Sequence, residues 1–383
     1  MRTFVKADKF FYESHVENNG YLEIVEDKFG DFYSELPDKN AEVIDQSGKW
    51  IAPGLVDTHI HGYQNHDVMD NDAQGVRIMS EGLLSCGVTS FLPTTLTSSR
   101  ELLTKVAKTV GDMVGTETGA KIQGIYFEGP FFTEKHKGAQ NPSYFGDPDI
   151  EVFHEWQKAA SGHIKKIALA PERKGVAEFV KKVTDEGVVV SLGHSDATLQ
   201  EASEVVDAGA SVFVHAYNGM RGLHHREPGM VGALLTLKNI YSELIADGHH
   251  VHPKACEVLV EKAGFDHVAL ITDCMMAGGM ADGDYMLGEF PVYVGDGMAR
   301  LKDSGSLAGS ILKLKEGMKN VVDWQIATPQ QAVAMASLVP AVSCKIDDVC
   351  GKIKKDRCAD FIVLNPDMTL AATYLDGQER YHA

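Results

Sequence analysis

The stretch that decides the fold of this chain reads Trp50-Ile51-Ala52-Pro53-Gly54-Leu55-Val56-Asp57-Thr58-His59-Ile60-His61-Gly62. It is an apolar run that ends in two histidines one residue apart. Side chains at positions i and i+2 of a strand point to the same side, so His59 and His61 are expected to face one point. Neutral imidazole is a common metal ligand, and the stretch therefore predicts half of a metal site at a strand end. A pair of ordinary loop histidines is the alternative, which the rest of the chain must decide.

Beyond residue 51 the sequence alternates between short apolar strands and helical segments. Most of the strands lack polar alternation, as is typical of strands buried on both faces. Helix ends are marked by the capping box Thr198–Glu201 and by a first-turn proline at His252-Pro253. The predicted strands are Gly54–His59, Val88–Pro93, Lys121–Phe127, Ile164–Ala170, Val188–Leu192, Ser211–His215, Tyr241–Ala246 and His267–Thr272.

This alternation predicts an α/β fold of the (β/α)8 TIM-like barrel type. Eight strand and helix pairs over roughly 280 residues match the length of such a barrel, which takes about 250 residues. A doubly wound open sheet is the competing fold. It is disfavoured because no G-x-G-x-x-G motif follows the first strand.

Both chain ends have a strand-rich texture. Turn signals separate the N-terminal strands, and the predicted strands are Phe4–Tyr12, Tyr21–Val25, Gly351–Ile353, Ala359–Leu364 and Thr369–Tyr374. We expect the two ends to pair into one small sheet domain. The predicted organisation is residues 1–50 and 343–383 as the two parts of that domain, with residues 51–342 as the barrel.

The composition is that of a globular protein with a strong negative charge. Hydrophobic residues make up 44% and charged residues 23%, and the formal net charge is −18. Such a charge disfavours a general nucleic-acid or anionic-membrane surface, although a local basic pocket can still bind a small anion. The N-terminus has no secretory signal, and the six dispersed cysteines are typical of reduced thiols. We expect a cytoplasmic location.

Metal-competent side chains recur where the predicted strands end. They are His59, His61, Glu128, His194, His215 and Asp273. Each one alone has an ordinary structural explanation, such as a helix cap or a turn. In a barrel, however, all the carboxyl ends of the strands meet at one mouth, and six such residues together predict a metal site there.

Four histidines and two carboxylates suit one or two ions of Zn²⁺ or Fe²⁺ better than Mg²⁺ or Ca²⁺. Glu128 can bridge two ions. A lysine carboxylate is the bridge in other barrels of this kind, but Lys165 and Lys166 lie at the start of the fourth strand, which is the wrong end.

The chain resembles the amidohydrolase superfamily and, within it, the deacetylases of N-acetylated amino-sugar 6-phosphates. The similar segments follow one another in the order found in the family and span nearly the whole chain. They are Pro53–Gly62, Glu128–Phe131, Gly193–Thr198, His215–Met220, Arg226–Gly229, Ile245–Val251, Thr272–Asp273 and Leu307–Ser310.

The resemblance implies a metal-dependent barrel with a small β-sandwich built from both chain ends. It assigns the main catalytic ion to Glu128, His194 and His215. A second ion would lie between His59 and His61, together with Glu128 and Asp273; some members lack this histidine pair and use one ion. Asp273 would act as general base and then as general acid, a role worth roughly 10²–10⁴-fold in rate.

The resemblance also implies a set of substrate-binding residues, namely Gln140, Asn218, Gly219, Arg226, His250 and Leu307. Many members have a histidine where Gln140 stands; an amide can still donate a hydrogen bond but cannot carry charge. Arg226 would reach the phosphate of the neighbouring active site in a homodimer. Its planar guanidinium suits a phosphate. Without the resemblance, a surface ion pair of Arg226 with Glu227 is favoured.

The function implied is hydrolysis of the acetamide of N-acetyl-D-glucosamine 6-phosphate to glucosamine 6-phosphate and acetate. One alternative is another amidohydrolase, acting on N-acetylgalactosamine 6-phosphate or on a cyclic amide. A different class of protein, a non-catalytic interaction protein on the same fold, is disfavoured because Glu128, His194, His215 and Asp273 are all present.

Overall fold

The computed structural model of the protein describes residues 2–383. In that range, eight strands form a parallel barrel, which confirms the (β/α)8 prediction over the open sheet. Barrel strands 1 to 8 are Leu55–Ile60, Val88–Thr95, Ile125–Phe131, Ile164–Leu169, Val189–Leu192, Val212–Phe213, Tyr241–Leu244 and Val268–Leu270. The predicted continuous strand Lys121–Phe127 is wrong at its start. Lys121–Ile122 is a separate strand, and Gly124, with φ +151°, breaks the chain before barrel strand 3.

The barrel closes between barrel strands 8 and 1. Ile60 forms a parallel bridge with Cys274, just beyond the end of strand 8. The Asp273 amide donates to the His59 carbonyl over 2.9 Å. Below them, the Thr272 hydroxyl donates to Asp57 over 2.6 Å. Closure therefore places the histidines after strand 1 directly beside Asp273.

Helices follow the barrel strands and cover the outside of the barrel. The predicted Thr198 capping box is formed, and Pro253 occupies the first turn of its helix, with His252 as the N-cap. No helix in the described part of the chain combines the length and the apolar composition that crossing a bilayer requires. The α-helices are Ala73–Leu83, Arg100–Gly111, Ile150–Ala159, Val176–Asp185, Leu199–Asp207, Gly229–Thr236, Pro253–Ala263, Leu314–Asp323, Pro329–Ala336 and Leu338–Ser343.

Strands from both chain ends form one sheet beside the barrel. Its order is Gln378–His382, Leu370–Leu375, Phe361–Leu364, Glu42–Pro53, Arg2–Phe11, Val16–Val25 and Lys28–Tyr33. The sheet folds over on itself, because the Phe29 amide donates to Arg357 O and the Phe29 and Phe361 rings lie 6.2 Å apart. Strand Glu42–Pro53 runs directly into barrel strand 1. The predicted strand Gly351–Ile353 is wrong, since Gly351 adopts a left-handed turn with φ +83°.

A three-stranded sheet that sequence analysis missed follows barrel strand 8. Its strands are Gly283–Leu287, Phe290–Gly295 and Met298–Leu301. Val292 and Val294 are buried while Tyr293 is exposed. This alternation is visible in the sequence and is typical of a strand. The sequence does not show, however, that these strands form an extra sheet inserted after barrel strand 8. We call it the inserted sheet; its Leu287 reaches the mouth of the barrel.

Candidate metal centre and active site

Three of the predicted ligands form one tight cluster at the mouth of the barrel, which we call the Glu128–His194–His215 cluster. One carboxylate oxygen, Oε1 of Glu128, lies 3.3 Å from Nε2 of His194 and 3.2 Å from Nε2 of His215. The two imidazole nitrogens are themselves 3.1 Å apart. All three side chains are buried. Two imidazole nitrogens and a carboxylate oxygen are the donors that a Zn²⁺ or Fe²⁺ ion uses.

The opening histidine pair forms a second cluster with the same glutamate, which we call the His59–His61 cluster. Nε2 of His61 lies 3.3 Å from Glu128 Oε2 and 3.0 Å from Asp273 Oδ1. Nε2 of His59 lies 3.6 Å from Glu128 Oε1 and 3.4 Å from Asp273 Oδ1. The two clusters thus share Glu128, whose two oxygens face different histidines.

Each of the four histidines has its Nδ1 atom engaged away from the centre. Three of them face backbone carbonyl oxygens: His61 faces Thr94 O at 3.2 Å, His194 faces His136 O at 2.9 Å, and His215 faces Asn218 O at 3.1 Å. His59 instead faces a carboxylate, Glu243 Oε2, at 3.0 Å. A carbonyl or carboxylate only accepts, so each Nδ1 carries a proton and each Nε2 is the atom directed toward the centre. This is the outer-shell pattern of metal-binding histidines, and the donor set fits a divalent ion.

The electrostatics of the site favour a bound cation. Burial by itself would raise the pKa of Glu128, but the surrounding histidines outweigh it and hold that pKa well below its usual range. The pKa of Asp273 is likewise lowered, since His59 and His61 outweigh its burial. The pKa of His61 is raised well above its usual value: burial opposes the change, and the two carboxylates outweigh burial. Both carboxylates are therefore ionised at neutral pH.

Three site residues have backbones in the left-handed region. The φ angle is +46° at His194, +23° at His215 and +50° at Asp273. Such angles are uncommon outside glycine and cluster at functional sites, where the surrounding structure holds them. All three residues follow the ends of barrel strands, so the backbone turn aims each side chain across the mouth.

The two clusters open into one cavity of about 360 Å³. Five of the six residues predicted to bind substrate line it: Gln140, Asn218, Gly219, His250 and Leu307. His61, Glu128, His194, His215 and Asp273 also line it, so the ligand-type side chains face the same space. A single cavity therefore brings together five of the six predicted metal ligands and most of the predicted substrate contacts, whereas His59 is fully buried and does not line it.

Gln140 is held in one orientation beside the shared glutamate. Its Oε1 accepts from the Thr97 amide over 2.8 Å, which leaves its Nε2 to donate to Glu128 Oε2 over 2.5 Å. The amide thus supports Glu128 as well as lining the cavity. Gly219 leaves room for the His194 ring. A Cβ atom at Gly219 would lie 2.9 Å from His194 Nδ1, and its φ of +59° also favours glycine.

His250 and Arg226, two of the predicted substrate-binding residues, differ in placement. His250 is fixed by Asp247, whose Oδ2 lies 2.6 Å from its Nδ1. Arg226 lies outside the cavity of its own chain and is exposed. Its guanidinium contacts the His225 ring over 2.8 Å rather than Glu227. Glu227 instead accepts from the backbone amides of Leu199 and Gly229. The predicted ion pair of Arg226 with Glu227 is therefore not formed.

Two charged residues lie beneath the site: Glu243, which sequence analysis missed, and Lys166, which it considered only as a bridging ligand and rejected. Glu243 lies on barrel strand 7 and pairs with Lys166 of barrel strand 4; both side chains are almost completely buried. Burial by itself would raise the pKa of Glu243, but the charges of Lys166 and His59 outweigh it and lower that pKa to about 2. The available signal was a charged residue inside a strand buried on both faces, where charges occur only when paired.

The amidohydrolase family model matches residues 50–380, so the chain belongs to the amidohydrolase family. This confirms the resemblance drawn from the sequence motifs. The chain is 39% identical to the N-acetylglucosamine-6-phosphate deacetylase of Vibrio furnissii, over 95% of this chain and 89% of that protein. It is 38% identical to the N-acetylgalactosamine-6-phosphate deacetylase of Escherichia coli O157:H7, over 88% of this chain and 89% of that protein.

A solved structure shows the same architecture at lower identity. It is a mutant N-acetyl-D-glucosamine-6-phosphate deacetylase from Mycobacterium smegmatis in complex with N-acetyl-D-glucosamine-6-phosphate. It superposes with a TM-score of 0.94 at 27% identity, and the match covers 99% of both chains. The barrel and the chain-end sheet are thus both shared with that enzyme.

Proposed function

We propose that this protein is a metal-dependent deacetylase that hydrolyses the acetamide of N-acetyl-D-glucosamine 6-phosphate, giving glucosamine 6-phosphate and acetate. The observation that carries the proposal is the single cavity in which two clusters of metal-type donors meet the predicted sugar contacts. The similarity to deacetylases of that substrate over most of the chain supports it.

We propose that Glu128, His194 and His215 hold the main ion and that His59, His61 and Asp273 hold a second, with Glu128 shared. The donors suit Zn²⁺ or Fe²⁺. A divalent ion here would supply Lewis-acid chemistry, polarising the acetyl carbonyl and making water easier to deprotonate at neutral pH. The chain positions this chemistry through the engaged Nδ1 atoms, which keep all four Nε2 atoms directed inward.

Asp273 is the proposed general base and general acid. Its side chain lines the cavity and its lowered pKa keeps it ionised, so it can accept a proton from the attacking water. The water oxygen bonds to the acetyl carbon as that proton moves to Asp273. The C–N bond then breaks, Asp273 returns the proton to the leaving nitrogen, and acetate and the amine are released.

The remaining lining residues would bind the sugar phosphate. His250 presents its Nε2 to the cavity because Asp247 holds its Nδ1. Asn218, Gly219, Gln140 and Leu307 are proposed to contact the sugar and its phosphate. Arg226 is exposed and does not line its own cavity, which supports its proposed role in the neighbouring active site of a homodimer.

A second candidate substrate is N-acetylgalactosamine 6-phosphate, favoured by the 38% identity to the Escherichia coli O157:H7 enzyme named for it. The two sugars differ in the configuration of one hydroxyl group. We also propose a cytoplasmic location; all six cysteines in residues 2–383 are free thiols, which suits a reducing compartment.

The test measures acetate release from both acetylated sugar phosphates and from unphosphorylated N-acetylglucosamine. We expect a higher kcat/KM for the glucosamine epimer and a much lower one without the phosphate. Chelation should abolish turnover while far-UV circular dichroism is unchanged, and Zn²⁺ or Fe²⁺ should restore it. Full turnover after exhaustive chelation would disprove the metal dependence, and preference for the galactosamine epimer would select the second candidate.

A further inference from the structure

A charged pair lies inside the barrel, directly beneath the His59–His61 cluster. Lys166 and Glu243 have side-chain exposures of 0% and 1%, and the ammonium group contacts Glu243 Oε1. The Lys166 ammonium also lies 4.0 Å from the centre of the Tyr126 ring. Burying two charges is costly even when they pair, and an apolar pair of similar volume is often as stable. The pair therefore calls for an explanation beyond packing.

The second oxygen of Glu243 provides that explanation. Oε2 accepts from Nδ1 of His59 over 3.0 Å, so a continuous line of contacts runs from Lys166 through Glu243 to His59. The same oxygen receives a longer contact of 3.4 Å from the His215 backbone amide. The His215 ring itself is held by Asn218 O. Of the four histidines, His59 is thus the one whose Nδ1 depends on a side chain.

We propose that Glu243, held in place by Lys166, is a positioning residue that sets the affinity of the His59–His61 cluster for a divalent ion, and so decides whether the protein carries one ion or two. A carboxylate acceptor fixes the histidine tautomer and increases its basicity more than a carbonyl does. The inference rests on the proposed metal-dependent function.

The geometry separates the two ion sites. In the Glu128–His194–His215 cluster, both histidines are oriented by backbone carbonyls, which no side-chain substitution removes. Loss of Glu243 should therefore weaken the His59–His61 cluster selectively. A residue with a merely structural role would instead lower the affinity of both sites, or the melting temperature, without distinguishing between them.

The experiment compares purified wild type with Glu243→Gln and with the double variant Lys166→Met/Glu243→Gln. The double variant removes both charges, so no ammonium is left unpaired if the single variant fails to fold. Ser242→Ala is the matched control, because Ser242 is a buried neighbour on the same strand whose hydroxyl has no partner among residues 2–383. Apo-protein is titrated with Zn²⁺ against a chelator of known affinity, bound ions per chain are counted, and melting temperatures are recorded.

We expect wild type and Ser242→Ala to bind two ions. The Glu243 variants should lose roughly 10- to 100-fold in affinity for one ion and keep the other unchanged. The proposal is overturned if a folded Glu243 variant binds both ions as wild type does, if both ions weaken equally, or if wild type holds one ion at saturating Zn²⁺. Acetate release by wild type is measured separately, so two bound ions without turnover would contradict the proposed function and not this inference.

Discussion

Two groups of charged side chains lie at opposite ends of the barrel, and they differ in how their charge is balanced. At the base, Lys121 lies between Asp360 and Asp376, with its Nζ 2.8 Å and 2.6 Å from their carboxylates. At the mouth, Glu128 and Asp273 face four imidazoles. Lys166, which lies beneath those imidazoles, is paired with Glu243.

Lys121, Asp360 and Asp376, which we call the base triad, pair with one another and connect the barrel to the chain-end sheet. Lys121 precedes barrel strand 3, while Asp360 and Asp376 flank strands of the chain-end sheet. Burial alone would lower the pKa of Lys121, but its two carboxylates outweigh burial and raise that pKa above its usual value. The charges at the base are thus paired within the protein and do not require a bound ion.

The mouth brings together donors that suit a bound cation. Its carboxylates stay ionised, and its imidazoles direct their Nε2 atoms toward one another, an arrangement that a divalent ion would stabilise. The contrast teaches that charges which pair with one another within the protein contribute to stability, whereas buried charges that converge on a cavity serve chemistry. Substitutions at the mouth should therefore affect turnover, and those at the base should affect stability.

The largest effect is expected from Asp273→Asn. The amide cannot accept the proton, so kcat should fall by about 10²–10⁴-fold. The ion of the Glu128–His194–His215 cluster and the melting temperature should stay close to wild type, because that cluster is untouched, whereas the second ion should bind more weakly because Asp273 is one of its proposed ligands. Steady-state kinetics with metal analysis checks both. Near-normal turnover would show that Asp273 is not the general base. It would also contradict the expectation that substitutions at the mouth affect turnover.

The next effect separates the two clusters within the mouth. His194→Asn should lower kcat/KM by more than the roughly 100-fold that losing an outer-shell partner costs, because it removes a ligand of the main ion. His59→Asn should lower it less and should remove only the second ion. Metal counting on both variants, with wild type as the control, measures the difference. Equal losses of activity and metal would show that the clusters act as one site.

Arg226→Ala should raise KM for the phosphorylated sugar by about 10- to 100-fold, the value of one or two charge-assisted hydrogen bonds. Turnover of unphosphorylated N-acetylglucosamine is the control and should not change. An equal effect on both substrates would refute a phosphate contact.

Arg226 also provides a test of whether a second chain contributes an arginine to the active site. Mixing unfolded Arg226→Ala and Asp273→Asn subunits and refolding them should restore about a quarter of the wild-type sites, measured at low substrate. Only a mixed dimer can combine an intact Asp273 with an arginine from its partner. No recovery in a mixture that forms dimers would place Arg226 in its own site or on the surface.

The smallest effect on activity is expected at the base. Lys121→Met should leave kcat/KM unchanged and lower the free energy of unfolding by about 2 kcal/mol, less than for a fully buried pair because the triad is partly exposed. Since the folded pKa of Lys121 is raised, its contribution is complete below the unfolded value of about 10.4 and is lost as pH rises beyond it.

Urea unfolding of both proteins checks this pH dependence. The difference between wild type and Lys121→Met should be constant from about pH 7 to 9 and shrink above about pH 10.4. A difference that grows with pH would show that the triad is not an ion pair in solution. A loss of activity of Lys121→Met at neutral pH would contradict the expectation that substitutions at the base change stability and not turnover.

Much of the site could be predicted because each metal-competent residue follows directly on the apolar run that forms its strand. The apolar run before His59 predicts a strand, and the side-chain period of two places His61 on the same side. Glu128, His194, His215 and Asp273 also follow apolar runs, so a barrel brings them together without further information.

Other features could not be predicted because they depend on partners far along the chain. Glu243 and Lys166 are separated by 77 residues and meet only inside the closed barrel. The inserted sheet supplies Leu287 to the cavity, yet nothing in the sequence marks an insertion after barrel strand 8. Whether Arg226 faces its own cavity or solvent likewise depends on the path of the loop that carries it.

The sequence by itself determined the kind of site, since it supplies four imidazoles and two carboxylates at the ends of buried strands. The tertiary structure decided how those groups are used. It places Glu128 in both clusters, as expected from the sequence, and it alone shows that His59 is oriented by a carboxylate where the others are oriented by carbonyls. The reason is physical: ligand identity is a property of single residues, whereas orientation and charge balance arise from contacts that exist only after the barrel closes.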